Sequence, residues 1–296
     1  MKTTYPVLTI RGGIDDDTLA AVARELSEKR GDTLYMVIDS LGGDPSVGYR
    51  IMNLLQAKYK KLVAVVPNEA YSTATLMVLG TDEIYMQNSA CLGPLDIQMK
   101  HPSDGTMIST LEIGEVLNTL AGSVKTFAED FSVSLKDSSR LGKRDAADLS
   151  MRTAVEMVKP IVEKIDPIYL QSSVRTSRIG QKYAEKLLSS RMMKKSPRLA
   201  RLVSIHLANN YDYHGYAISP KEAAEVLALN VKDVSELALW EDIKADQTNS
   251  SGFAVYLSEV SVSNKDASGD TDGDDKKPKS YKKETASAKL KSRGGK

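Results

Sequence analysis

A serine, a pair of glycines and the start of a helix are the residues of this chain best placed to do chemistry. Ser72 stands in Ala70-Tyr71-Ser72-Thr73, where a strand running into Pro67 gives way to a helical pattern. The first N–H groups of a helix lack intrahelical acceptors and the helix dipole favours negative charge there, so the Thr73 amide could hold a negative oxygen. Gly42-Gly43 ends an earlier strand, and Gly43 leaves its amide unshielded by a side chain. A nucleophile beside two preorganised donors is what acyl transfer requires. The competing account is plainer: Ser72 caps a helix and the glycines turn the chain. On spacing alone the capping account is the commoner, and both stay open.

The elements that must position these residues are visible around them. Leu34 to Ile38 is a short apolar run rich in β-formers, as expected of a strand covered on both faces. Asp44 followed by Pro45 is a helix start, with the carboxylate as N-cap and proline at the first helical position. Val47, Ile51, Leu54, Leu55 and Tyr59 recur at helical spacing, Leu62 to Val66 is a second strand, Leu76 to Leu79 continue the Ser72 helix to Gly80, and Glu83 to Met86 is a third strand. Strand, helix, strand, helix, strand with tight connections predicts parallel βαβ units with right-handed crossovers. Val7 to Ile10 and the helix opened by Asp15 to Asp17 add one more such unit ahead of them.

Four segments resemble a known family. Ile38-Asp39-Ser40-Leu41-Gly42-Gly43-Asp44, Ala70 to Leu76 with Gly80-Thr81-Asp82-Glu83-Ile84, Leu92-Gly93-Pro94-Leu95-Asp96, and the late His214-Gly215-Tyr216-Ala217-Ile218-Ser219 with Glu222-Ala223-Ala224 are similar to Clp-fold serine peptidases. The resemblance is nearest to the serine dehydrogenase proteinase (SDH) family, a relative of signal peptide peptidase A and of the peptidase subunit of the Clp protease. It brackets roughly residues 5 to 235. It implies an α/β, Clp/crotonase-like fold of repeated β-β-α and βαβ units with a helical handle, and a serine endopeptidase that works through an acyl-enzyme. Ser72 matches the nucleophile, and Gly43, with Gly42 beside it, and Thr73 match the oxyanion and substrate-binding positions.

A serine hydroxyl needs a neighbour to accept its proton, so the base lies among His101, His206, His214 and several lysines. The Clp peptidase subunit would carry a histidine in the strand after the serine helix, but Cys91 to Ile97 contains none. The signal peptide peptidase branch uses a lysine from the following helix, and Val124-Lys125-Thr126-Phe127-Ala128-Glu129 resembles the sequence around it. A Ser72–Lys125 dyad is therefore the favoured expectation. A lysine base must be neutral, which demands burial or a nearby positive charge, and Val124 and Phe127 could supply the desolvation. Asp96 could orient the site or cap a turn after Gly93-Pro94. His214 stays a candidate through its place in the family's closing segment.

The rest of the chain sets limits. Its 296 residues are 41% hydrophobic, enough for a sizeable core, and 40 basic against 39 acidic residues point to neither nucleic acid nor an anionic membrane. The single cysteine, Cys91, excludes an internal disulfide and a multi-cysteine metal site, and no metal or other cofactor is expected. No apolar run approaches the length of a signal or membrane segment, which predicts a cytoplasmic protein without membrane insertion. Many relatives are membrane-anchored, so this departure argues against signal-peptide cleavage as its task.

The helix carrying Ile113, Leu120, Val124, Phe127 and Phe131 has a narrow apolar seam that wants a facing helix. In Clp-fold proteins the handle packs against another subunit, so the resemblance implies a homo-oligomer acting on peptide or unfolded protein. Leu135 to Asp148 is charged and serine-rich and is expected to be a loop. The basic stretch Arg191 to Arg201 is expected to be a solvated face rather than a site for an anionic partner. The domain expectation is a peptidase domain over 1–246, with its handle at about 107–165, and a charged tail over 247–296 that composition predicts to be disordered. Two alternatives of other classes are a crotonase-like acyl-CoA enzyme, against which no glutamate sits beside the Ser72 helix, and an inactive Clp-fold scaffold that binds peptides.

Overall fold

The computed structural model describes residues 2–27, 31–100, 105–138, 141–211, 213–247 and 253–263. Its core is a run of parallel strands whose apolar sequences need cover on both faces. The strands are β1 (Lys2–Arg11), β2 (Thr33–Asp39), β3 (Lys61–Val66), β5 (Glu83–Met86) and β9 (Val231–Asp233), paired side by side in parallel register. The first helices alternate with them: α1 (Asp16–Glu25), α2 (Pro45–Lys58) and α3 (Thr73–Val78). Asp15 and Asp44 cap α1 and α2 as their sequences predict. The fold is thus α/β with a largely parallel sheet.

One strand lies within 247–296, the segment expected to be a disordered tail. β10 (Ala254–Ser263) adds an edge next to β1, so the sheet continues past residue 246. Val255 and Leu257 pack on the core and Val260 is buried, which gives the segment a reason to stay. Of the rest of that expected tail, 248–252 and 264–296 lie outside the described residues.

Two short strands, β4 (Glu69–Ala70) and β6 (Cys91–Leu92), pair in parallel beside the main sheet, and a hairpin of β7 (Gln98–Lys100) and β8 (Met107–Ser109) follows. Then come α4 (Thr110–Ser138), α5 (Lys143–Val162) and α6 (Pro167–Ser190), the last started by Asp166. The expected loop over 135–148 is mostly helical, because its charges occupy the outer faces of α4 and α5. The facing helix that the α4 seam requires is α5 of the same chain, with α6 also packed against α4.

α7 (Pro197–Asn209) and α8 (Pro220–Glu225) pack on the same face of the sheet as α2, α3 and α6, forming the larger core. The other face is covered by Leu237, Leu239, Trp240 and Ile243, partly from α9 (Trp240–Gln247). No helix among the described residues is long and apolar enough to cross a membrane.

Candidate active site

Ser72 sits just past the carboxyl ends of β2 and β3, the usual position for a site on an open parallel sheet. Its backbone is held at φ 51°, ψ −114°, an arrangement that an L-residue adopts only under constraint. Although it occupies the N-cap position of α3, its hydroxyl makes no capping hydrogen bond. The plain reading of Ser72 as a cap therefore does not hold.

The constraint comes from both sides. Ala74 N–H donates to the Tyr71 carbonyl, and Tyr71 N–H donates to the Ser40 carbonyl, so the turn is tied to the end of β2. Thr75, fully buried, donates its hydroxyl to the carbonyls of Ala70 and Gly93 and accepts from Gly93 N–H at 3.0 Å. The Ser72 turn is thereby stitched to the segment that leads to Asp96.

The two glycines have different tasks. Gly42 N–H donates to Ser40 Oγ at 3.0 Å, and Ser40 Oγ in turn donates to the Gly12 carbonyl at 2.6 Å. A side chain on Gly42 would press within 3.0 Å of Ser72 Cβ and 3.1 Å of Thr73 N. Gly42 thus lets the serine turn approach, and its amide is engaged elsewhere. At Gly43 a Cβ would overlap the Ile14 carbonyl oxygen, so only glycine fits. Ile14 N–H bonds Gly42 O and Asp44 N–H bonds Ile14 O, which turns the Gly43 amide to the opposite edge. On that edge the Gly43 carbonyl accepts Thr73 Oγ1 at 2.7 Å, fixing Gly43 against the start of α3.

Asp96 and His214 are brought together from 118 residues apart. His214 Nδ1 lies 2.8 Å from Asp96 Oδ1, and Asp96 is only 2% exposed. The hydrogen bond to this buried carboxylate holds the His214 pKa above its ordinary 6.5, against the opposing effect of burial. His214 and Ser72 line one cavity of about 650 Å³, together with Gly43, Ile97, Met107, Ile179 and Tyr183. A second, more polar cavity of about 430 Å³ lies on the Asp96 side of His214, between α4 and α6.

The other candidate bases are elsewhere. Lys125 is exposed on α4 and lines neither cavity. His206, on α7, rests edge-on against Tyr211 with centroids 5.4 Å apart, and burial lowers its pKa. His101 lies outside the described residues. Sequence reasoning passed over Ser40 and Thr75, which anchor the turn through side-chain contacts to distant backbone that no local spacing reveals.

No family model and no curated protein matches the chain. Among solved structures, a serine-to-alanine mutant of the 1510-N membrane-bound stomatin-specific protease is similar with a TM-score of 0.47 and 14% identity, covering 79% of this chain and 82% of that one. A lysine-to-alanine mutant of that protease in complex with a substrate peptide gives a TM-score of 0.46 and 15% identity, over 78% of this chain and 77% of the other.

Proposed function

We propose that this chain is a serine peptidase with Ser72 as nucleophile, His214 as general base and Asp96 as the carboxylate that orients it. The observation that carries the reading is that His214, hydrogen-bonded to the buried carboxylate of Asp96, lines the same cavity as Ser72. With Nδ1 committed to Asp96, the other ring nitrogen is left to accept the Ser72 proton as Oγ attacks a peptide carbonyl carbon. The Gly43 and Thr73 amides receive the resulting oxyanion. The imidazolium then gives its proton to the leaving amine as the C–N bond breaks, and a water repeats the sequence to release the acid from Ser72.

His214 is assigned in place of the Ser72–Lys125 dyad, because Lys125 is exposed and has no burial to neutralise it. The substrates are peptides or unfolded protein segments. The chain assembles with copies of itself through the outer face of the α4–α5 hairpin, as the Clp-fold resemblance implies.

The test is labelling of Ser72 by a fluorophosphonate across pH, alongside casein hydrolysis. The base must be neutral, so labelling rises as pH passes upward through the His214 pKa, with its midpoint above 6.5. Asp96→Asn removes the carboxylate's raising influence and leaves burial, so its midpoint should fall below that of wild type and its rate should drop. Ser72→Ala and His214→Ala should be inactive, and Lys125→Arg should keep both rate and midpoint. Labelling that survives His214→Ala and disappears in Lys125→Arg would overturn the assignment.

A further inference from the structure

The base stands on the connection between α7 and α8, which the structure fastens at its far end. Ile218 and Leu92 exchange backbone hydrogen bonds at 2.8 and 3.0 Å, and Leu95 N–H donates to the Leu207 carbonyl at 2.8 Å. These contacts hold Asp96 and the exit of the loop in place. Among the described residues around His214, the backbone forms a turn in which Tyr216 N–H donates to the Tyr213 carbonyl. The imidazole is held to Asp96 at its Nδ1 edge, so its aim toward Ser72 depends on how firmly the loop that carries it is fixed, and a base displaced by about 1 Å can lose about a hundredfold in rate.

Glu222 adds side-chain ties on both sides of His214. Tyr211, three residues before His214, donates its hydroxyl to Glu222 Oε1 at 3.1 Å. Tyr216, two residues after it, donates to the other carboxylate oxygen at 3.4 Å. The two rings pack together with centroids 4.8 Å apart, and His206 packs edge-on against Tyr211. Burial and the neighbouring carboxylate push the Tyr211 phenol above its ordinary value, so it remains a donor. Glu222 is fixed in turn by the first turn of α8, where its N–H donates to Ser219 Oγ at 3.2 Å and the helix start favours its negative charge.

We infer that Glu222 is a positioning residue for the base: its carboxylate bridges the tyrosines on either side of His214 and fixes the imidazole against Asp96. The inference rests on the reading of His214 as base. It touches neither substrate nor the reacting atoms, and its effect passes through the loop. It therefore acts on the rate of acylation and leaves reversible binding in the cavity alone.

The experiment measures fluorophosphonate inactivation of the full chain as a function of probe concentration, which separates the limiting rate from the apparent dissociation constant. For Glu222→Ala the limiting rate should fall at least tenfold while the dissociation constant stays within twofold. Glu222→Gln retains two hydrogen-bonding atoms at the same distance and should recover to within threefold of wild type. Should Glu222→Ala fail to fold, Tyr211→Phe/Tyr216→Phe keeps both rings, removes both donors and should show the same loss confined to the limiting rate. A wild-type limiting rate in either variant overturns the inference, as does a loss shared equally with binding or one that glutamine does not restore. His214→Ala, run in parallel, separates the two readings. Wild-type labelling there defeats the base assignment, whereas an inactive His214→Ala beside an unaffected Glu222→Ala defeats the positioning role alone.

Discussion

At Ser72 the backbone is strained where the side chain is free, and the combination has an energetic signature. A non-glycine residue in such a region costs roughly 1–3 kcal/mol, and the missing capping bond returns nothing at this position. Ser72→Gly should therefore be more stable than wild type by about 1 kcal/mol, and Ser72→Ala should be nearly neutral. Urea denaturation checks this, and a glycine variant no more stable than the alanine variant would dispose of the strain. Ser72, Gly43 and Thr73 were legible in the sequence because a strand end, a glycine pair and a helix start are local signals. The partnership of Asp96 with His214 was not, since nothing in either neighbourhood indicates a contact 118 residues away. The burial expected for Lys125 beside the apolar seam is absent for a physical reason: neighbouring helical residues point about 100° apart, so half-buried Val124 and Phe127 leave the side chain between them exposed.

Among the elements, those with a helical period and a cap were readable, and the very short ones were not. Asp44-Pro45 and Asp166-Pro167 mark α2 and α6 directly, whereas two residues of β4 or β6 cannot display an alternation. The basic stretch from Arg191 shows a further limit of composition, because its first member is not solvated. Arg191 Nη1 donates to Asp82 Oδ2 at 2.9 Å and to the Lys60 carbonyl at 2.8 Å, while Nη2 reaches the carbonyls of Tyr59 and Gln56 at 2.7 and 3.1 Å. The guanidinium thus joins the end of α6 to the last turn of α2, whose final carbonyls lack helical donors. α6 lines the Ser72 cavity through Thr176, Ile179 and Tyr183, and Tyr183 stacks on Tyr49 of α2 with centroids 4.2 Å apart. Arg191→Met should lower stability by about 3 kcal/mol, the scale of lost hydrogen bonds to a charged group. Lysine should recover less than half, because a point charge cannot reproduce the fork. A loss below about 0.5 kcal/mol on urea denaturation would mean that the clamp contributes nothing.

On the scale of the whole molecule, α5 turns one apolar face inward against α4 and another outward. Met151, Val155 and Val162 recur on one side of the helix with Ile161 beside them, each between 45% and 49% exposed. Contiguous apolar surface of this kind marks a contact with another protein more often than a free face. On the assembly proposed above, that partner is another copy of the chain. The wild-type protein should run in light scattering as a multiple of the chain mass. Val155→Glu puts a carboxylate into the contact and should shift the mass to that of one chain. It should cost a single chain little stability, because the valine is already about half exposed. Ser72, Gly43 and His214 are all contributed by one chain and line one cavity, with Asp96 of the same chain hydrogen-bonded to His214 and Thr73 bonded to Gly43. Monomeric Val155→Glu should therefore still label with a fluorophosphonate. A wild-type protein that runs as a monomer refutes the assembly, and a monomeric variant that no longer labels would show that the site depends on its neighbours.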